Sequence, residues 1–146
     1  MSETGERMDG IAIARGVVRL LAERDLPSIT EVRLKNGRRA DVMALAKDGE
    51  IWIVEVKSSV ADYRSDAKWG DYLEFCDRYF FAVPPDFPSE LIPAECGLIV
   101  ADAFGGEIVR HAPAERLTAA RRKAVTLRFA RMAAQRLVAP AGPLPR

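Results

Sequence analysis

Residues 38 to 59 decide the fold: Arg38-Arg-Ala-Asp41-Val-Met-Ala-Leu-Ala-Lys47-Asp-Gly49-Glu-Ile-Trp-Ile-Val-Glu55-Val-Lys57-Ser-Ser59. They read as two strands joined by a glycine turn, with Asp41 early in the first and Glu55-Val56-Lys57 late in the second. Ionised groups among Ile51, Trp52, Ile53, Val54 and Val56 cost free energy when desolvated unless they pair with each other, with a cation or with a substrate. Side chains two apart on a strand share a face, so Glu55 and Lys57 are neighbours whatever the turn does.

The place of Asp41 depends on that turn. If Asp48-Gly49 is a two-residue turn, Lys47 pairs with Glu50, and Asp41 and Glu55 point to opposite faces. If Lys47-Asp48-Gly49 is a three-residue loop with Gly49 left-handed, Ala46 pairs with Glu50 and Asp41 falls opposite Glu55. Both are open to the sequence, and only the second brings the carboxylates together. The turn before it poses the same choice: a three-residue Lys35-Asn36-Gly37 loop sets Glu31 opposite Asp41, and a two-residue Asn-Gly turn does not.

Outward from this stretch, Ile11, Ala14, Val17, Val18 and Leu21 recur at helical steps after Asp9-Gly10, with Arg15, Arg19 and Arg24 off the stripe, and Pro27 closes the segment. Strands are expected over Ile29–Leu34, Arg38–Ala46 and Glu50–Ser58. A helix over Asp66–Asp77, capped by Asp62 or Asp66, would place Trp69, Tyr72, Leu73 and Cys76 on one face. Further strands follow at Arg78–Val83, Gly97–Ala101 and Glu107–Arg110. Pro113 suits the opening of a long helix reaching Val138, and the proline-rich residues 139–146 read as a disordered tail. The whole is one α/β domain over residues 1–138, with its C-terminal helix at about 114–138.

The 146 residues, 49% hydrophobic and 29% charged, describe an ordinary globular protein. No apolar run approaches the roughly 20 residues of a membrane span, the first residues hold no hydrophobic signal core, and a cytoplasmic location is expected. Cys76 and Cys96 lie far apart in apolar settings, as buried thiols do, and a single histidine, His111, cannot build a histidine-rich zinc centre. Any metal should be a hard cation held by oxygen. Residues 1–114 carry 14 basic and 20 acidic side chains, a net −6, whereas residues 115–146 carry 8 and 1, a net +7. That basic end, with Arg116, Arg121, Arg122, Lys123, Arg128, Arg131 and Arg136, suits either a hold on nucleic-acid phosphates or a solvated helix face.

Helix, three-strand meander, helix and strand, with Asp41 followed after 13 residues by Glu55-Val56-Lys57, resembles the PD-(D/E)xK nuclease superfamily and its restriction-endonuclease-like fold. The strings Asn36-Gly-Arg-Arg-Ala-Asp-Val and Ile53-Val-Glu-Val-Lys-Ser-Ser, followed by Asp62-Tyr-Arg-Ser-Asp-Ala-Lys-Trp, resemble the narrower MmcB family of bacterial DNA repair proteins over roughly residues 8 to 110. The resemblance implies a Mg²⁺- or Mn²⁺-dependent deoxyribonuclease, endo- or exonucleolytic, acting in repair with DNA and other repair proteins as partners. It implies Asp41 and Glu55 as metal ligands with the Val56 carbonyl, and Lys57 as the group that orients or deprotonates water. Glu31 is a further candidate ligand. Lys68 and Tyr72 loosely resemble a Gln-x-x-x-Tyr pair of some relatives, against the plainer reading of a surface lysine and a core tyrosine. Arg38, Arg39, Arg121, Arg122 and Lys123 are the remaining candidates for DNA contact. The alternative is a non-catalytic DNA-binding or scaffold protein on the same fold.

Overall fold

The computed structural model describes residues 9–65 and 68–138; the expected tail at 139–146 and the candidate cap Asp66 lie outside them. Six strands form one sheet in sequence order: β1 (Ser28–Arg33), β2 (Arg39–Leu45), β3 (Ile51–Val56), β4 (Arg78–Val83), β5 (Gly97–Asp102) and β6 (Gly105–Arg110). The pairs β3·β4 and β4·β5 are parallel and the others antiparallel. The ends of β3, β4 and β5 therefore lie together, at the edge of an open sheet where α/β proteins place ligands.

Both glycine turns take the three-residue form. Ala46 N–H donates to the Glu50 carbonyl at 2.9 Å and Gly49 sits at φ 89°. Leu45 pairs with Ile51 and Val42 with Val54, a register that sets Asp41 opposite Glu55. Leu34 N–H likewise donates to the Arg38 carbonyl, with Gly37 at φ 88°. Glycine takes these left-handed positions without the steric cost that a Cβ adds.

Two apolar cores flank the sheet. Helix α1 (Gly10–Glu23) packs Ile13, Val17 and Leu21 against Val42, Val54, Phe80 and Ile99. The expected stripe is rotated: Ile13, Val17, Leu20 and Leu21 are buried, whereas Ile11 is 70% exposed and Ala14 and Val18 are only partly covered. Gly16 permits the close approach of α1 to the β5–β6 turn, because a Cβ there would overlap the Asp102 carbonyl oxygen. On the opposite face Ile53, Tyr79, Phe81 and Leu98 meet Tyr72, Phe75 and Val125. Strand β3, central and covered on both sides, is buried at every residue, which accounts for its unbroken apolar run.

Two expected helices are corrected. In place of one helix over Asp66–Asp77 there is a short helix α2 (Val60–Ser65), then a 3₁₀ segment over Trp69–Phe75. A three-residue turn aligns Trp69, Tyr72 and Phe75, and both Trp69 and Tyr72 stack on Tyr79, with centroids 5.9 and 5.8 Å away. Leu73, assigned by a 3.6-residue period to the inner face, is 39% exposed.

The C-terminal helix α3 spans Ala119–Val138 and does not start near Pro113. Asp77 holds the preceding segment out of the helix: its carbonyl accepts from Glu115 N–H and its carboxylate from Leu117 N–H. Thr118 then caps the helix, Oγ1 accepting from Arg121 N–H. No helix among the described residues is long and apolar enough to cross a membrane.

Candidate active site

Main-chain pairing between β2 and β3 runs from Leu45↔Ile51 to Val42↔Val54. Beyond it, side chains replace the ladder. Asp41 N–H donates to Glu55 Oε2 at 2.8 Å, and Val56 N–H donates to Asp41 Oδ2 at 2.7 Å. This exchange fixes the two carboxylates at the fork between the strands, on a common site. Lys57, buried like Glu55, lies within electrostatic reach of both, and its own N–H donates to the Ala82 carbonyl of β4.

Burial pushes both carboxyl groups upward, and a neighbouring carboxylate adds to each, Asp41 for Glu55 and Asp62 for Asp41. Glu55 rises to about 8, first through desolvation, then through the neighbouring Asp41 charge; the Asp41 N–H, Lys57 and the Tyr72 hydroxyl pull the other way. Asp41 is raised chiefly by burial, with the Val56 N–H and Lys57 opposing. Two crowded oxygen donors that resist ionising together are what a hard divalent cation relieves, so this donor set fits Mg²⁺ or Mn²⁺ chemically.

Glu31 falls opposite Asp41 by register but does not join the pair. Its φ of 52° breaks the β1–β2 ladder between Thr30↔Val42 and Val32↔Ala40, and its exposed carboxylate faces Arg39 Nη1 at 3.7 Å. Among the described residues no three His, Cys, Asp or Glu side chains gather as a metal cluster. Of the candidate ligands, Asp41 and Glu55 are the two that the structure brings together.

Tyr72 is buried, and its hydroxyl hydrogen-bonds Glu55 and approaches the Arg39 carbonyl. It positions a site carboxyl, and burial removes it from any DNA-facing role. Lys68 stands exposed at the head of the 3₁₀ segment. Arg38 is bound to Asp71, its Nε 3.0 Å and Nη2 2.9 Å from Oδ2. Arg121 pairs with Glu74 and lies over the Phe75 ring, and Lys123 is exposed. Arg122 grips the buried Asp77 carboxylate with both terminal nitrogens at 2.6 Å and the Gly49 carbonyl at 2.9 Å. Burial raises Asp77, yet Arg122 and the Ile51 and Leu117 N–H groups outweigh it and hold the carboxyl below its ordinary range. Arg122 thus fastens α3 to the β2–β3 turn, and its fork faces protein rather than phosphate.

An open cleft of about 1210 Å³ adjoins the fork, lined by Asp41, Glu55 and Lys57 and by residues of α1 that include Arg15 and Arg19. Nothing local in the sequence assigns these arginines to the site, since only the fold brings α1 over it. Asp62, expected from the sequence only as a helix cap, is a further member. Ser59 Oγ accepts from Asp62 N–H, while the Asp62 carboxylate accepts from Ser58 N–H and stays near Asp41. The Ser59-x-x-Asp62 spacing is a readable capping signal that would have placed it one short turn after Lys57.

Among known proteins, a model of the family described as DNA repair protein MmcB-like matches residues 2–142. A solved structure of a protein of unknown function from Silicibacter pomeroyi is 52% identical, with a TM-score of 0.88 over 92% of this chain and 94% of that one. No curated protein matches the chain.

Proposed function

This chain belongs to the MmcB-like family of DNA repair proteins, and from that premise we propose that it is a metal-dependent deoxyribonuclease whose active site is the Asp41–Glu55–Lys57 fork. The observation that carries the reading is the reciprocal hold of the two carboxylates at the end of a forked strand pair, beside a buried lysine. A stable fold alone gains nothing from a carboxyl pushed to about 8 in the middle of a sheet. The arrangement also agrees with the PD-(D/E)xK pattern of the sequence.

Asp41 and Glu55, with the Val56 carbonyl, would hold Mg²⁺ or Mn²⁺. When bound, the ion lowers the pKa of a water and offsets charge on the phosphate. Lys57 would orient a water at the site or, in its neutral form, take its proton, and as an ammonium would offset the charge that grows on the phosphoryl oxygens. Tyr72 holds Glu55 against rotation. Asp41, through the Val56 N–H, fixes the strand that carries Glu55 and Lys57. In this reading Arg39, exposed beside the fork, and the exposed Lys68 and Lys123 meet phosphates, whereas Arg121 is engaged by Glu74 and Phe75.

The test is incubation of the pure protein with single-stranded, nicked, flapped and branched DNA, with and without Mn²⁺, beside Glu55→Ala and Lys57→Ala. Metal-dependent cleavage lost in both variants is the expected result. Cleavage that persists in them places the activity elsewhere, and binding without cleavage of any substrate favours a non-catalytic repair scaffold.

A further inference from the structure

The α1 side of the cleft is unexplained by phosphodiester chemistry. Ile11, Ala14 and Val18 turn an apolar wall toward it, and Arg15 and Arg19, one helical turn apart, line the same space. Gly10 lies beside Val56, while farther along the helix Gly16 meets the β5–β6 turn, so α1 leads from the fork to that turn. Ala103 of the turn lines the cleft, and the next residue, Phe104, is 78% exposed.

Phe104 is presented on a fixed base. The Asp102 carboxylate accepts from Phe104 N–H at 2.8 Å and Gly105 N–H at 3.1 Å, and Arg19 Nη1 donates to the Phe104 carbonyl at 3.3 Å. Because β3 and β5 run parallel, the turn after β5 stands at the same end of the sheet as Glu55 and Lys57. The acidic members of the cleft are largely engaged within the protein: the carboxylate of Asp9 accepts from Ala12 N–H, that of Asp62 from Ser58 N–H, and that of Glu31 faces Arg39.

We infer that this wall is a cradle for an unpaired DNA strand, with a base stacked on Phe104 and phosphates on Arg15 and Arg19, leading the strand toward the fork. The inference rests on the nuclease reading for its direction but not for its binding test. At about 1210 Å³ the open cleft exceeds the roughly 300–1,000 Å³ of small-ligand pockets, which suits a polymer. A duplex offers only base edges in its grooves, whereas an aromatic platform needs the face of a base, which an unpaired nucleotide exposes. A charged groove combined with an exposed aromatic is how non-specific single-strand binders are built.

Fluorescence anisotropy in EDTA, with a labelled oligothymidylate of about a dozen nucleotides and a duplex of equal length, tests it without turnover. The wild type should prefer the single strand. Phe104→Ala should weaken single-strand binding roughly five- to a hundredfold with little effect on the duplex, and Phe104→Trp should restore it with its emission quenched by the bound strand. Arg15→Ala with Arg19→Ala should make the log K against log salt slope shallower by about 1.4, the share of two phosphates. Equal affinity for duplex, an unaltered Phe104→Ala, or no oligonucleotide binding overturns the inference. Binding as described without cleavage under any metal condition would instead defeat the nuclease reading and leave the cradle standing. Phe104 is exposed, so its replacement does not threaten folding, and a melting curve of each variant checks this.

Discussion

Glu55 carries the most informative chemistry of any residue here, because its carboxyl is at once buried, crowded by Asp41 and hydrogen-bonded by Tyr72. The Tyr72 bond favours the ionised form. Tyr72→Phe should therefore raise the Glu55 pKa further and move the acid limb of the cleavage–pH profile to higher pH. Below that limb, each unit of displacement lowers the active fraction about tenfold. A rate–pH series on both proteins checks it, and an unmoved limb would mean that Tyr72 is only a packed core residue. Glu55 and Lys57 were legible as neighbours because strand geometry alone puts i and i+2 on one face. Tyr72 was legible as a residue of note but not in its role, since the 3₁₀ turn that brings it to Glu55 follows from stacking on Tyr79 rather than from local periodicity.

Of the two long helices, α3 is the less embedded, with Val125 its only buried side chain where α1 buries Ile13, Val17, Leu20 and Leu21. Its attachment depends on polar anchors. Arg122 and Asp77 form the principal one at the N-terminal end, and Arg136 donates to the Thr30 and Glu31 carbonyls at the other. Arg122→Ala leaves the buried Asp77 carboxylate without its cation and should destabilise the protein by about 3–5 kcal/mol in urea unfolding. A small loss would show that the carboxylate is satisfied by the Ile51 and Leu117 N–H groups alone. Gly16→Ala should cost about 1–3 kcal/mol, because α1 must lift from the β5–β6 turn to admit the methyl. A neutral result in thermal melting would indicate that the turn yields. The charge count that drew attention to the C-terminal arginines could not separate Arg122, turned inward, from Lys123, turned outward, because one position changes a helical residue's direction by about 100°.

At the scale of the whole molecule, the site and the α3 anchor oppose each other in their response to pH. Glu55 is raised on folding, so its contribution is complete below its ordinary value of 4.5 and is lost as pH climbs through about 8. Asp77 is lowered, so its contribution is present above its ordinary value of 3.8 and is lost as pH falls through the folded value. In EDTA the Tm should therefore decline as pH rises from about 4.5 to 8, and decline again in acid. Mg²⁺ or Mn²⁺ at a hundred times its dissociation constant should stabilise the protein by about 2.7 kcal/mol at the alkaline side. Glu55→Gln should flatten the alkaline decline and abolish the metal-induced rise. Scanning calorimetry across pH with and without metal reads all of these, and a rise that survives in Glu55→Gln would place the ion elsewhere.

By itself the sequence determined the order of the strands, the two glycine turns and the Glu55–Lys57 pair, since each follows from local geometry: alternation, positive φ at glycine and the two-residue repeat of a strand. It also carried the strings that resemble the MmcB family. Tertiary structure decided whether Asp41 faces Glu55, because a one-residue change of loop register turns every side chain of a strand to the other face, and Ala46–Glu50 pairing chose between the two. It set the Glu31 carboxylate apart from the pair and facing Arg39, through a left-handed residue that no local signal marks. It also brought Arg15 and Arg19 to the cleft that holds the fork and set the exposed Phe104 beside Arg19, residues up to 89 positions apart that come together only because β3, β4 and β5 run parallel beneath α1.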